Sequence, residues 1–139
     1  MTTLNPYLNF RGTAREAITF YQSVLGGELT LSTFGEFQMA QDPSQADLVM
    51  HSQLTTDGGL VLMASDTPDG MDLTVGSNVS ISLSGDDEAE IRGYWDGITA
   101  DGQVTVPFEQ APWGDYFGMA VDRFGINWLF NLTGAAAQG

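Results

Sequence analysis

The chain has no cysteine, no lysine and a single histidine, His51. Without cysteine there is no disulfide framework and no thiolate chemistry. Without lysine, four arginines face eighteen acidic residues, for a formal net charge of −14. A surface of that sign repels phosphate backbones and anionic lipid, so neither nucleic acid nor membrane is an expected partner. Long hydrophobic runs are also missing. The longest, Leu60–Ala64, falls far short of a bilayer span. The opening segment, Met1–Phe10, has neither the basic n-region nor the apolar h-region of a secretory signal. These absences lead to the expectation of a soluble, cytoplasmic protein. The acids are scattered rather than blocked, which fits a solvated surface and would also suit a saline habitat.

What is present is enough for a core: 42% of the 139 residues are hydrophobic, a usual length and composition for one globular domain. The chain also repeats itself. Tyr7–Phe34 and Val79–Gln110 each open on an alternating strand pattern. Each continues through a short polar turn into a helix start (Arg15-Glu16-Ala17, then Asp87-Glu88-Ala89), carries an aromatic pair (Phe20-Tyr21, then Tyr94-Trp95), and reaches a turn glycine before a new strand. The spacing is about seventy-four residues. Apolar positions at helical spacing predict helices over Ala14–Leu25 and Asp87–Ala100. Val49–Thr55 with Leu60–Ser65, and Tyr116–Val121 with Asn127–Leu132, read as hairpins. The expected fold is therefore α+β, a tandem pair of βαβββ modules. Module one runs over about 5–66 and module two over about 77–133, with a joint in Asp66–Gly76 and a flexible tail over 134–139.

Strand side chains alternate between two faces. Leu8 and Phe10 oppose Tyr7 and Asn9; Met50, Ser52 and Leu54 oppose His51, Gln53 and Thr55; Val79, Ile81 and Leu83 oppose Asn78, Ser80 and Ser82; Trp128, Phe130 and Leu132 oppose Asn127, Leu129 and Asn131. The first set in each strand is expected under the helices. The second sets are mildly polar and carry no charge in a chain rich in acids, a pattern that suits a sheltered cavity for a polar ligand. A merely solvated or interface-facing sheet is the plain alternative.

The repeated module together with Trp113–Phe130 resembles the vicinal-oxygen-chelate superfamily, which includes the glyoxalase, bleomycin-resistance and extradiol-dioxygenase families, and within it the PhnB-like branch. The residues that carry the resemblance are Pro6–Phe10, Glu16-Ala17, Phe20-Tyr21, Leu25–Gly27, Trp113-Gly114, Tyr116, Gly118, Asp122, Phe124-Gly125 and Trp128. It implies a single domain in which paired modules curl into a U-shaped cavity, and commonly a homodimer. It also implies, for the metal enzymes of the superfamily, one ligand from each of four strands. Carried over, those positions fall at Asn5 or Pro6, at Gln53, at Ser80 or Asn78, and at Leu129. None is His, Cys, Asp or Glu, whereas divalent cations need imidazole or anionic oxygen donors in number. The resemblance thus argues against the family's metal chemistry here, and no cofactor is expected.

His51 lies two residues before the second of those positions and reads as a hydrogen-bonding cavity residue rather than a ligand or a general base, since no orienting carboxylate is visible on its face. Asp86-Asp87-Glu88 and Glu16 read as helix-start acids, and Asp122 as a turn residue. Trp113, between a proline and a glycine, reads either as an aromatic wall at the cavity mouth or as rim packing. The expected function is a metal-free small-molecule-binding protein whose cavity is lined by Tyr7, Asn9, His51, Gln53, Ser80, Trp113, Asn127 and Leu129 and takes a small polar or aromatic ligand. The alternative is an enzyme of the superfamily, a lyase, isomerase or oxygenase, with an atypical site that lacks the usual ligands.

Overall fold

The computed structural model describes residues 2–134. The tail segment expected to be flexible thus lies, apart from Gly134, outside the described residues. In order, the elements are β1 (Tyr7–Phe10), α1 (Ala14–Leu25), β2 (Glu28–Thr33), a short 3₁₀ turn (Pro43–Gln45), β3 (Val49–Thr55), β4 (Val61–Asp66), β5 (Ile81–Gly85), α2 (Glu88–Thr99), β6 (Gln103–Gln110), β7 (Tyr116–Val121) and β8 (Asn127–Leu132). They form two four-stranded sheets of the same topology, β1-β4-β3-β2 and β5-β8-β7-β6. In each, the first strand pairs parallel with the last and the other pairings are antiparallel. The fold is α+β, with the two βαβββ modules that the repeat implied. The chain divides into compact units at Thr74–Val75.

In the first unit α1 packs on β3 and β4. Its buried residues, Ala14, Ala17, Ile18 and Tyr21, recur at helical spacing and meet Phe10, Leu54, Leu62 and Ala64. Burying each large apolar side chain of this kind contributes about 1.5–3 kcal/mol. Ser52 sits within this layer because its hydroxyl donates to the Ala64 carbonyl at 2.7 Å. In the second unit α2 covers β5 and β8 with Ile91 and Ile98, over Trp128, Phe130 and Leu132. Asp87 caps this helix, accepting from the Glu90 amide at 3.1 Å, so the helix proper begins one residue later than its periodicity suggested, and Ala100 is its C-cap. The turn glycines of the repeat have a steric reason. A Cβ on Gly27, whose φ is +99°, would lie 2.4 Å from the Thr55 carbonyl oxygen, and one on Gly102 would lie 2.7 Å from that of Val121.

Three strand assignments differ from expectation. On β3 the register slips between Ser32 and Thr33: Ser32 faces His51, Thr33 faces Val49, and Met50 is the extra residue of a bulge. Val49 is therefore buried with Ser52 and Leu54, and Met50, expected in that layer, is only half-buried. On β5 pairing starts at Ile81, so Ser80 precedes the strand and Val79, expected in the core, is 74% exposed. Asp66, assigned above to the joint, instead ends β4 and is 4% exposed.

Candidate functional site

The helices cover one face of each sheet and leave the other open. On the open face of the first sheet the register sets Tyr7, Met63, Gln53 and Thr30 in one cross-strand row. Asn9 stands beside Ser65 in the next row, where His51 faces Ser32. Four of the expected site residues, Tyr7, Asn9, His51 and Gln53, thus share this face, and all four are neutral.

Tyr7 and His51 come from strands separated by β4, yet their side chains meet. The Tyr7 hydroxyl lies 3.2 Å from His51 Nδ1, with ring centroids 5.7 Å apart and planes inclined by 34°. Between them on β4 the face carries Ser65, small enough to pass beneath and 8% exposed. The hydrogen-bonding neighbour of His51 is therefore Tyr7, a neutral group from β1. The tautomer of the ring has a partner after all, a phenol rather than a carboxylate. The other polar groups are partly engaged. Ser65 donates to Asn9 Oδ1 at 3.4 Å, and Gln53 Nε2 donates to Thr55 Oγ1 at 3.1 Å.

The open face of the second sheet is of a different character. Asn127, Leu129 and Asn131 on β8 lie opposite Val121, Met119 and Phe117 on β7. Trp113, 63% exposed in the β6–β7 connection, leans edgewise on Phe117 with centroids 6.1 Å apart at 68°. Trp113 thus belongs to this face, and Phe117 is a neighbour that the sequence pattern did not single out. Ser80 is half-buried just ahead of β5 and outside the ladder. At the far end Asn131 Nδ2 donates to Asp115 Oδ2 at 3.1 Å and the Gly134 amide to Oδ1 at 3.0 Å. These two bonds, the backbone one first, hold the Asp115 carboxyl below the usual carboxylate value.

Buried carboxylates serve the frame instead. Asp66 Oδ1 accepts from the Gly12 and Ala14 amides at 2.8 and 3.0 Å, and Oδ2 from the Val49 amide at 2.9 Å. One side chain therefore ties the β1–α1 turn to the start of β3 and satisfies the first amide of α1, whose N-cap Thr13 makes no side-chain cap. Asp122 is the turn residue it was read to be: it accepts from the Phe124 and Ile126 amides at 2.8 and 3.1 Å and from the Trp128 indole at 2.8 Å.

The donor set does not fit the superfamily's metal. Gln53 offers a neutral amide whose nitrogen is engaged, Leu129 has no donor atom, and Ser80 stands off the ladder. Among the described residues no group of three or more His, Cys, Asp or Glu is placed to hold a metal ion. Among them, too, no helix is long and apolar enough to cross a membrane.

Comparison with known proteins adds the following. A family model described as 3-demethylubiquinone-9 3-methyltransferase matches residues 2–130. Protein YjdN of Escherichia coli is 28% identical, over 94% of this chain and 95% of its own. The crystal structure of PA1353 from Pseudomonas aeruginosa is 33% identical with a TM-score of 0.80, over 96% of this chain and 98% of that one. The PhnB protein of Bacillus cereus, 24% identical over 95% of this chain and the whole of that one, has a TM-score of 0.76.

Proposed function

The chain belongs to the PhnB-like branch of the vicinal-oxygen-chelate superfamily, the family whose model carries the 3-demethylubiquinone-9 3-methyltransferase description, and on that premise we propose that it is a metal-free small-molecule-binding protein. The observation that carries this reading is the open face of the first sheet. There a hydrogen-bonded Tyr7–His51 pair stands with Asn9 and Gln53 and no charged group among them. Neutral donors and acceptors on a rigid ladder recognise a ligand by hydrogen bonds without the desolvation cost of a charge. Taken by itself, the second sheet offers aromatic and apolar contact on the face that holds Trp113, Asn127 and Leu129. Ser80 is kept as a neutral residue at the entrance to β5. Methyl transfer forms no part of the reading, because the chain carries no fingerprint for S-adenosylmethionine.

The test is a nuclear magnetic resonance screen of small neutral, aromatic and charged compounds, read on the ring signals of His51, Tyr7 and Trp113. Compounds that shift those signals at sub-millimolar concentration are the expected result. A set that leaves all three unmoved would refute the reading. The second reading is an enzyme of the superfamily with an atypical site, and the Tyr7–His51 bond favours it, since an imidazole with a fixed tautomer can move a proton. If a substrate is turned over and His51→Gln abolishes turnover without weakening binding, the second reading replaces the first.

A further inference from the structure

The satisfied and unsatisfied groups on the open face of the first sheet form a pattern. A phenol O–H is a good donor, and a neutral imidazole nitrogen is a stronger acceptor than a phenol oxygen. With a neutral ring protonated on Nε2, the 3.2 Å contact runs from Tyr7 O–H to His51 Nδ1. In that tautomer Nε2, which makes no hydrogen bond within the described residues, is left as a donor. Asn9 has its Oδ1 engaged by Ser65, so its Nδ2 group is the free end. Gln53 has its Nε2 engaged by Thr55, so its Oε1 is the free end. His51 and Gln53 stand two residues apart on β3, on the same face. The strand consequently presents a donor and an acceptor side by side, with a second donor from β1.

We propose that this face takes a neutral ligand with an amide-type edge, a C=O beside an N–H as in a lactam, imide or ureido group. Tyr7 acts as the positioning residue that holds His51 in the donor state. The carbonyl accepts from His51 Nε2–H and Asn9 Nδ2, and the N–H donates to Gln53 Oε1. A carboxylate has no cation to meet on this face and a net charge of −14 to overcome. The carboxylate that this face does carry, Glu28 opposite Thr55, stands two cross-strand rows from His51, so a cation has no acid beside the His51–Asn9–Gln53 groups. The inference rests on the binding reading above and narrows it to a ligand class.

Because His51 is the only histidine, its side-chain nitrogens can be read without assignment in ¹⁵N-labelled protein. In the wild type Nδ1 is expected to be the bare nitrogen and Nε2 the protonated one. Tyr7 is 44% exposed, so Tyr7→Phe keeps the ring and leaves the fold intact, and it is expected to introduce the other tautomer. The probes are 2-pyridone, benzoate and benzamidinium. 2-Pyridone is expected to shift Nε2 and to bind more tightly than the other two, and Tyr7→Phe to weaken it about 2- to 10-fold, the worth of one hydrogen bond. A wild-type ring protonated on Nδ1, or a Tyr7→Phe ring with the same tautomer as the wild type, overturns the positioning role. Preference for benzoate or benzamidinium overturns the amide-edge class and leaves the binding reading standing. No shift of His51 with any compound tried overturns the amide-edge class, and if the signals of Tyr7 and Trp113 stay unmoved as well the binding reading falls with it.

Discussion

At the scale of single residues, polar side chains divide between those that hold the frame and those left to meet a ligand. Asp66 is of the first kind. Asp66→Ala strands the buried amides of Ala14 and Val49 and frees that of the exposed Gly12, and at about 1–3 kcal/mol for each buried donor left unpaired the loss is expected to reach about 2 kcal/mol or more. Urea denaturation measures it, and a loss below about 1 kcal/mol would show that the three bonds are not holding the turn. His51 is of the second kind. His51→Gln is expected to weaken a bound ligand by about 0.5–1.5 kcal/mol and to leave the melting temperature unchanged, which titration and thermal melts of one preparation check. Asp115 gives a pH dependence with a definite sign. Its folded carboxyl titrates below the ordinary aspartate value, so its contribution is complete above that value and is lost as pH falls through the folded one. The Gly134 amide resonance should hold its position to lower pH than the titration of a free aspartate and then move. That His51 faces the open side was legible from strand parity. That Tyr7 reaches it was not, because alternation says which face a residue takes and nothing about which strands are neighbours. Asp66 was misread as linker, since an acid next to Thr-Pro-Asp-Gly looks like the start of a loop when the amides that surround it come from elsewhere in the chain.

At the scale of elements, both helices and both hairpins followed from periodicity and turn chemistry, because those signals are local. The misses lie where a strand's behaviour depends on its partner. The bulge at Met50 shows only against β2, and the late start of β5 only against β8. Gly27 and Gly102 stand at the same place in the two repeats, each pressed against the strand end that its helix must clear. Gly27→Ala meets both a positive φ and a backbone oxygen, so a loss of about 3 kcal/mol or more is expected. Gly102→Ala meets the close approach alone, and about 1–3 kcal/mol is expected. Chemical denaturation of the two variants side by side checks the order; an equal loss would mean that backbone conformation contributes nothing at Gly27.

At the scale of the whole molecule, charge and edges decide. A formal charge of −14 repels itself, so raising the salt from tens of millimolar to about half molar is expected to raise the melting temperature as the Debye length shortens. A flat or falling curve would place the acids in stabilising contacts. The sheets end in β1, β2, β5 and β6, and β6 is exposed along nearly its whole length. Such edges favour a homodimer, which light scattering distinguishes from the 14.9 kDa single chain. A last consequence follows from the parallel pairing of β1 with β4, which joins Tyr7–Phe10 to Met63–Asp66. While the chain is being synthesised, β1 has nothing to join until some sixty residues have left the ribosome, and β5 then waits likewise for β8. Each half closes on its most distant contact, which makes for slow folding and leaves a bare strand on the nascent chain in the meantime. It is a window in which a chaperone, or a neighbouring polypeptide, can reach β1 first.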